Sequence, residues 1–432
     1  MKSDFLLALF GAFNEKINYA VLRNFEGLPE SYQGRDIDLL IPYCQWKTFV
    51  PDFIALCDKF DCRILYTNRD NQFLTVVLCD SAAEVFQLDI QFNFAWMGVD
   101  LLDENEVLKH RVFSGKVWHL DPMYSFLPKY LYSRILGAKY PEKYSAVKDA
   151  AFSASGEDIE KLLNTLSCGR GGFEFWQKSS KWKLRLLALG AGCRRNLFRT
   201  VWRQTEFILR YIADLFYRRG LMISFSGPDG CGKTTVIGLL MEHLDVNPPL
   251  LFHFRPTLLP NLGEVGHKAG VVKSVDRDFT KPHRSSRKGA LNSFVRLCYY
   301  TADYILGYIV KILPLRQRKH IVLFDRYFTD IIADSRRSSI YLDVRFLAFW
   351  RHFIPSCRYN IFFKVEPETI RSRKTEMEIG DMREVYQKLD YLVSIDKHSY
   401  FIDNNSTPQD AVVRILDLLR EVEHPRHVKE LF

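Results

Sequence analysis

A glycine-rich segment in the middle of the chain has the residue types and the spacing needed to hold a phosphate group. The run from Gly227 to Thr234, GPDGCGKT, matches the pattern G-x-x-x-x-G-K-[ST] in full, and it lies between a strand-like apolar run and a segment with helical apolar spacing. Glycines allow successive backbone N–H groups to point at one anion, and the following helix adds the positive end of its dipole. We therefore predict that the following residues bind a nucleoside triphosphate: Gly227, Gly230, Gly232, Lys233, Thr234 and Thr235.

Within this loop the lysine and the first threonine have distinct predicted roles. Lys233 is expected to reach the β- and γ-phosphates, and the Thr234 hydroxyl is expected to coordinate Mg²⁺. Thr235 supports the loop. The sequence thus predicts ATP and Mg²⁺ as cofactors.

Three acidic residues in the first quarter of the chain form a second candidate site. Asp36 and Asp38 lie two apart at the start of an apolar strand, so their side chains face the same side, and Asp89 lies on a second predicted strand, Glu84 to Gln91. Converging carboxylates of this kind suit Mg²⁺ ions that activate a hydroxyl and stabilise a leaving pyrophosphate. We predict that these three residues bind metal.

Composition and length indicate an ordinary globular protein of two or three domains. The chain has 432 residues, of which 47% are hydrophobic and 26% are charged. The nine cysteines lack zinc-like spacing, the first residues do not resemble an export signal, and no run of eighteen uncharged apolar residues occurs. These features favour the reducing cytoplasm.

The positive charge is concentrated in one segment, residues 178–219. Against Glu206 and Asp214 it carries eleven basic residues: Lys178, Lys181, Lys183, Arg185, Arg194, Arg195, Arg199, Arg203, Arg210, Arg218 and Arg219. Aromatic residues are interleaved with them, which indicates a basic amphipathic helix that can lie on an anionic membrane surface. Binding to nucleic-acid phosphates and a merely solvated helix face are the alternatives, and no specific nucleic-acid partner is expected.

Coarse periodicity divides the chain into three segments. Residues 1–168 are predicted to form an α+β domain with a helical tail, and residues 220–432 are predicted to form an α/β domain. Residues 169–219 are predicted to form a basic aromatic connector between them. In this last segment strand-like runs alternate with helices, as in a parallel sheet, and each strand ends on a charged residue near the rim of the phosphate loop. The predicted fold class is therefore α/β.

The last segment resembles the thymidylate kinase family of P-loop kinases. The carriers of the resemblance are the phosphate loop, Arg255-Pro after the second strand, Asp325-Arg-Tyr after the third, and Val365-Glu-Pro-Glu before a basic stretch. The resemblance implies that Asp325 helps to hold Mg²⁺, that Arg255 and Arg326 grip the acceptor phosphate, and that Asp229 touches the acceptor hydroxyl. It also implies a lid over the transferring phosphoryl group, formed by Arg371, Arg373 and Lys374.

Two departures from that family concern the acceptor. The segment after Asp325-Arg-Tyr lacks the run that reads the thymine base and instead carries Asp334, Arg336 and Arg337, which indicates a more polar or anionic acceptor. The segment 271–290 is an insertion rich in Lys, Arg and Ser, interpreted as a loop over the acceptor site.

The first segment resembles the nucleotidyltransferase superfamily, with Asp36, Asp38 and Asp89 at its three acidic positions and Arg23-Asn24 where that superfamily has a Gly-Ser turn. The combination of the two halves resembles thymidylate-kinase-like proteins associated with bacterial surface polysaccharide assembly, including lipopolysaccharide.

These patterns support one leading hypothesis and three alternatives. The leading one is an ATP-dependent kinase, with Lys233, Asp325, Arg326, Arg255 and Asp229 as catalytic residues, that phosphorylates a sugar or envelope glycan. The alternatives are a nucleoside monophosphate kinase, a bifunctional kinase and nucleotidyltransferase that makes an activated sugar, and a regulatory NTP-binding protein. The expected location is the cytoplasm or the inner face of the cytoplasmic membrane. The sequence is compatible with a homo-oligomer and does not decide the oligomeric state.

Overall fold

The computed structural model describes residues 2–32, 34, 36–69, 72–216, 220–244, 248–260, 289–317, 320–373 and 378–432, which fall into two units. Unit 1 comprises Met1–Tyr217 and Leu419–Phe432, and unit 2 comprises Arg218–Leu418. The described part of the basic connector therefore belongs to unit 1, as do the last residues of the chain. The three predicted domain ranges stay predictions.

Unit 1 is built on a mixed sheet. Its strands are β1 (Ala20–Val21), β2 (Asp36–Leu40), β3 (Arg63–Arg69), β4 (Phe73–Cys79), β5 (Val85–Gln91), β6 (Phe94–Trp96), β7 (Val99–Leu102), β8 (Arg111–Phe113) and β9 (Trp118–Leu120). Seven of them form one sheet in the order β3-β4-β5-β2-β1-β9-β8, in which β2 and β5 are parallel, and β6 pairs with β7.

The helices of unit 1 cover both faces of that sheet. They are α1 (Lys2–Lys16), α2 (Tyr43–Lys59), α3 (Glu104–Lys109), α4 (Pro122–Leu136), α5 (Ser145–Leu166), α6 (Phe173–Lys178), α7 (Lys181–Arg195) and α8 (Leu197–Phe216), with a 3₁₀ turn at Glu142–Tyr144. Successive residues of β2 face opposite sides of the sheet and join different hydrophobic cores. Ile37 and Leu39 pack in the core that includes α1 and α2, whereas Leu40 packs in the core that includes α4 and α5. Helix α5 is kinked, because Ser155 has non-helical backbone angles inside it.

Unit 2 contains a five-stranded parallel sheet. Its strands are β10 (Met222–Ser226), β11 (Leu250–His253), β12 (Val322–Asp325), β13 (Tyr359–Lys364) and β14 (Ser399–Asp403), in the order β11-β12-β10-β13-β14. All neighbours are parallel. The α/β prediction is confirmed, and since the carboxyl ends of parallel strands share one edge, β10, β11 and β12 end beside one another.

Helices of unit 2 connect those strands, as a parallel sheet requires. They are α9 (Lys233–His243), α10 (Ala290–Gly307), α11 (Leu313–Gln317), α12 (Phe328–Ala333), α13 (Val344–Trp350), α14 (Pro367–Arg373), α15 (Ile379–Ile395) and α16 (Pro408–Glu430), with a π-helical turn at Tyr308–Ile312 and a 3₁₀ turn at Arg351–Phe353. The sequence predicts that the closing helix ends at Glu421, but α16 continues through Pro425 into unit 1. No helix of the described residues is long and apolar enough to cross a membrane.

Candidate functional site

The phosphate loop of unit 2 has the backbone geometry that its glycines predict. Gly227, Gly230 and Gly232 have φ angles of 153°, 87° and 90°, a region that disfavours residues with a Cβ. The loop joins the buried strand β10 to the N-terminus of α9, so its backbone N–H groups and the helix dipole converge on one space. This is an anion-binding arrangement.

A side chain at the last glycine of the loop would displace Asn404. A Cβ on Gly232 would lie 2.6 Å from the Asn404 side-chain nitrogen, which donates a 2.7 Å hydrogen bond to the Cys231 carbonyl. Asn404 follows β14 directly and therefore connects the loop to the neighbouring strand end.

The Lys233 side chain lies within the loop. Its Nζ donates hydrogen bonds of 2.8 Å to the Gly227 carbonyl and 2.9 Å to the Pro228 carbonyl, and only 6% of the residue is exposed. Lys233, Thr234 and Thr235 line a cavity of about 630 Å³ at the carboxyl edge of the sheet. The cavity brings together the predicted residues Asp229, Gly230, Gly232, Lys233, Thr234, Thr235, Asp325 and Arg326.

Asp325 ends β12 inside that cavity. One carboxylate oxygen lies 3.2 Å from His253 Nδ1, while the other oxygen is buried and has no hydrogen-bond partner among the described residues. Burial raises the pKa of Asp325, but the hydrogen bond from His253 and the charge of Lys233 lower it by a larger amount. The pKa of Asp325 therefore lies below its ordinary value. An ionised carboxylate with an unpartnered oxygen, in one cavity with the Thr234 hydroxyl, fits Mg²⁺.

Arg326 follows Asp325 and is held in a left-handed conformation with φ 73°. Such a conformation is costly for a residue with a Cβ and persists only where contacts fix it. Here its guanidinium donates to Asp330 at 2.6 Å and to Asp229, and the side chain is 8% exposed. The residue with the strained backbone, Arg326, is therefore also a buried cation that lines the cavity.

Asp229, inside the loop, contacts two arginines. Arg326 and Arg337 each donate to a different oxygen of its carboxylate. Burial raises the pKa of Asp229, but Arg326, Lys233 and Arg337 together lower it below its ordinary value. Arg337 comes from the segment that departs from the thymidylate kinase pattern, whereas its neighbour Arg336 pairs with Asp381 and Glu384 of α15.

Several predicted residues are placed elsewhere or cannot be placed. Arg255 is buried, donates to Asp303 at 2.9 Å and stacks on Tyr300, and it is not among the described residues that line the cavity. Arg371 is exposed on α14 and is likewise absent from that lining. The side chain of Arg373, Lys374 and nearly all of the predicted insertion 271–290 lie outside the described residues.

Three polar residues that line the cavity were not identified from the sequence: His253, Asn404 and Ser406. His253 ends β11 and is paired in register with Asp325, and Asn404 and Ser406 follow β14. The rule that polar residues at strand ends share one edge would have found His253 and Asn404.

The carboxylates predicted in unit 1 do converge. Asp38 and Asp89 are direct neighbours on the parallel strands β2 and β5, and the oxygens of Asp36, Asp38 and Asp89 lie within 4.8 Å of one another. Asp89 accepts hydrogen bonds from Thr75 and Gln87, while burial and the charge of Asp38 raise its pKa to about 6. The donor set is of the type that divalent cations prefer.

A basic side chain already contacts this cluster. Arg23 donates to both oxygens of Asp38, at 2.5 and 2.8 Å. A guanidinium therefore lies beside the carboxylate cluster.

Comparison with known proteins finds similarity to solved structures. No family model matches the chain. Among solved structures, the chain is similar to the thymidylate kinase from Ehrlichia chaffeensis at 18% sequence identity, covering 46% of this chain and 99% of that one, with a TM-score of 0.32. A TM-score this low carries no argument about the fold. We therefore describe the fold of unit 2 from its strand order and its phosphate loop alone.

Proposed function

We propose that unit 2 is an ATP-dependent phosphotransferase. The observation that carries the proposal is the pairing of a phosphate loop with Asp325, whose buried unpartnered oxygen lies in the same cavity as Lys233 and Thr234. Phosphoryl transfer needs little from a protein beyond positioning and charge neutralisation, and a loop of backbone N–H groups with a lysine and an acidic residue supplies both.

In the proposed reaction an acceptor hydroxyl oxygen forms a bond to the γ-phosphorus of ATP while the bond to the β-phosphate oxygen breaks, ADP leaves and the hydroxyl proton is released to water. Lys233 holds the β- and γ-phosphates, and Arg326 holds the acceptor side. Thr234 and Asp325 would hold Mg²⁺, which neutralises charge on the phosphates. Arg326 is held in place before substrate arrives by Asp229 and Asp330, so little reorganisation is needed.

We further propose a sugar or envelope glycan as the acceptor. Arg337 lies at the cavity and holds Asp229, so the acceptor side of the cavity presents paired charges rather than an apolar slot for a base. Hydroxyl-rich acceptors match such a wall, because a hydroxyl can accept from a guanidinium and donate to a carboxylate while the charged pairs stay formed. The role of the carboxylate cluster of unit 1 in making an activated sugar stays a proposal as well.

One observation favours a second candidate, a regulatory ATP-binding protein. Arg255, expected to grip the acceptor phosphate, is instead buried against Asp303 with a side chain 5% exposed. Nucleotide binding does not need Arg255, whereas transfer to a phosphorylated acceptor would.

The test is a γ-labelled ATP transfer assay with two acceptor pools, nucleoside monophosphates and lipid-linked glycans, read by mass spectrometry. Label on glycans supports the proposed acceptor, label on nucleotides supports a nucleoside monophosphate kinase, and label on neither favours the regulatory protein.

We predict that Lys233→Ala and Asp325→Asn each lower the transfer rate by about 100-fold or more, in line with the loss of one transition-state charge contact. Asp403→Asn is the matched control, because Asp403 also ends a strand of the sheet but is exposed and pairs with Arg414. Circular dichroism checks that each variant is folded. Near-normal transfer in a folded Lys233→Ala or Asp325→Asn variant would refute the phosphotransferase.

A further inference from the structure

Helix α8 of unit 1 turns a continuous apolar face to solvent. Its exposed apolar residues recur at helical spacing of three and four: Leu197, Phe198, Val201, Trp202, Ile208, Leu209 and Ile212. Phe198 is 80% exposed and Trp202 is 64% exposed. Large apolar side chains gathered along one face are unusual on a free protein surface and mark an interaction site.

The polar side of α8 is attached to unit 1, which fixes the direction of the apolar face. Arg199 lies 3.3 Å from Asp100 of β7, and Arg203 donates to the same carboxylate. The turn between β6 and β7 approaches closely, since a Cβ on Gly98 would lie 2.6 Å from the Arg203 carbonyl oxygen. Two of the arginines in the basic segment therefore anchor the helix and are not directed at a partner.

The preceding helix α7 also exposes apolar and basic residues. Trp182 and Leu186, one turn apart, are 64% and 70% exposed. Lys181, Lys183, Arg194 and Arg195 are exposed as well. Lys181 Nζ lies 5.8 Å from the centre of the Trp182 ring, and Arg194 and Arg195 are the last two residues of α7. Between residues 178 and 209 the sequence has a single acidic residue, Glu206. We refer to the exposed apolar residues of α7 and α8 with these four basic residues as the α7–α8 surface.

We propose that the α7–α8 surface binds an anionic lipid bilayer as a peripheral membrane element. Aromatic and aliphatic side chains insert into the boundary between headgroups and acyl chains, while lysines and arginines pair with lipid phosphates. This goes beyond the proposed phosphotransferase and does not depend on it.

Charge complementarity selects this occupant. A second copy of the chain would bring two surfaces of the same positive sign together, which is unfavourable. A nucleic acid would satisfy the basic residues but leave the apolar face of α8 in water. An anionic bilayer satisfies both, and it explains why the apolar face rather than the polar face of α8 points outward.

Vesicle cosedimentation of the full chain tests the proposal. Phosphatidylcholine vesicles and vesicles that also contain phosphatidylglycerol are compared at low and high salt. We expect binding to the anionic vesicles, weakened by salt, and a fall of about tenfold or more in the partition coefficient for the double variant Phe198→Glu and Leu209→Glu. Both side chains are exposed, so the substitutions leave the fold intact.

The matched control carries Leu291→Glu and Val295→Glu, which introduce the same two negative charges at apolar residues of unit 2 that are 77% and 59% exposed. It should bind vesicles like the wild type. Absence of binding to anionic vesicles, or equal binding by the double variant, would overturn the proposal. A wild-type oligomer that the double variant converts to a monomer, without vesicle binding, would instead assign the surface to self-association and overturn the proposal too.

Discussion

Arg23 forms an ion pair with the carboxylate cluster of unit 1. Its guanidinium holds Asp38, a side chain 10% exposed, in the middle of three carboxylates. Three carboxylates this close repel one another, and either a cation or protonation relieves the repulsion. Arg23 is a cation of the protein's own, in a position where a metal ion would compete with it.

We predict that Arg23→Ala lowers the free energy of unfolding by about 3 kcal/mol, because removing one partner leaves a poorly solvated charge uncompensated. We also expect Mn²⁺ to stabilise this variant more than the wild type, since the cluster then accepts an external cation. Denaturant unfolding with and without Mn²⁺ measures both effects.

Lys16→Ala is the control for that experiment, because it removes an ion pair with Asp52 in which both side chains are exposed. Surface pairs contribute little, so a small change is expected there. An equal response of wild type and Arg23→Ala to Mn²⁺ would contradict the idea that Arg23 occupies the cation position.

Among the structural elements, the junction of the phosphate loop with α9 offers a matched pair of glycines. Gly232 has φ 90° and no room for a Cβ, whereas Gly238 lies inside α9, where a Cβ would meet no described atom within 4 Å. The two positions belong to the same loop-and-helix segment. We expect an added methyl group to lower stability at Gly232 and to raise it at Gly238.

We predict that Gly232→Ala abolishes measurable ATP binding and lowers stability, because the loop must shift away from Asn404. Gly238→Ala should raise the free energy of unfolding by about 1 kcal/mol and leave ATP binding unchanged, since alanine is the better helix former. Isothermal titration calorimetry and thermal unfolding measure the two effects. Unchanged ATP affinity in Gly232→Ala would show that the loop tolerates the shift.

Elements and strand edges could be predicted from the sequence, but side-chain partners could not. The apolar runs of β10 to β14 are strong signals, and parallel order puts Asp325 and the loop at one edge. Whether Arg255 enters the cavity depends on Asp303, which lies far along the chain on α10 and follows no local pattern. Arg337 and Ser406 line the cavity but come from connections, where periodicity carries no information.

At the scale of the whole molecule, the end of α16 belongs to unit 1 through buried polar contacts. His427 contacts Glu423 at 3.0 Å, Glu430 at 3.1 Å and Thr67 of β3 at 2.7 Å. Burial lowers the pKa of His427, but the hydrogen bonds with Glu423 and Glu430 raise it more, so it lies above its ordinary value. The folded protein therefore binds this proton more tightly than the unfolded chain does.

It follows that His427 contributes stability fully below its unfolded pKa of about 6.5 and that the contribution is lost as the pH rises through the raised pKa. We predict that the difference in unfolding free energy between wild type and His427→Gln is larger at about pH 5.5 than at about pH 9. Gln409→Ala, at an exposed residue of α16 that does not titrate, should show no such dependence. A pH-independent difference for His427→Gln would contradict the assignment.

The membership of Leu419–Phe432 in unit 1 makes unit 2 an insertion, in sequence order, within a host unit. Leu431 belongs to the same hydrophobic core as Phe5 and Phe53, and its carbonyl accepts a hydrogen bond from Trp46. A dissection at residue 220 would therefore leave the host without part of its core and give the excised unit an apolar tail. A protein made of residues 1–217 joined through a linker to residues 419–432 retains all residues of unit 1, including Leu431 of its hydrophobic core.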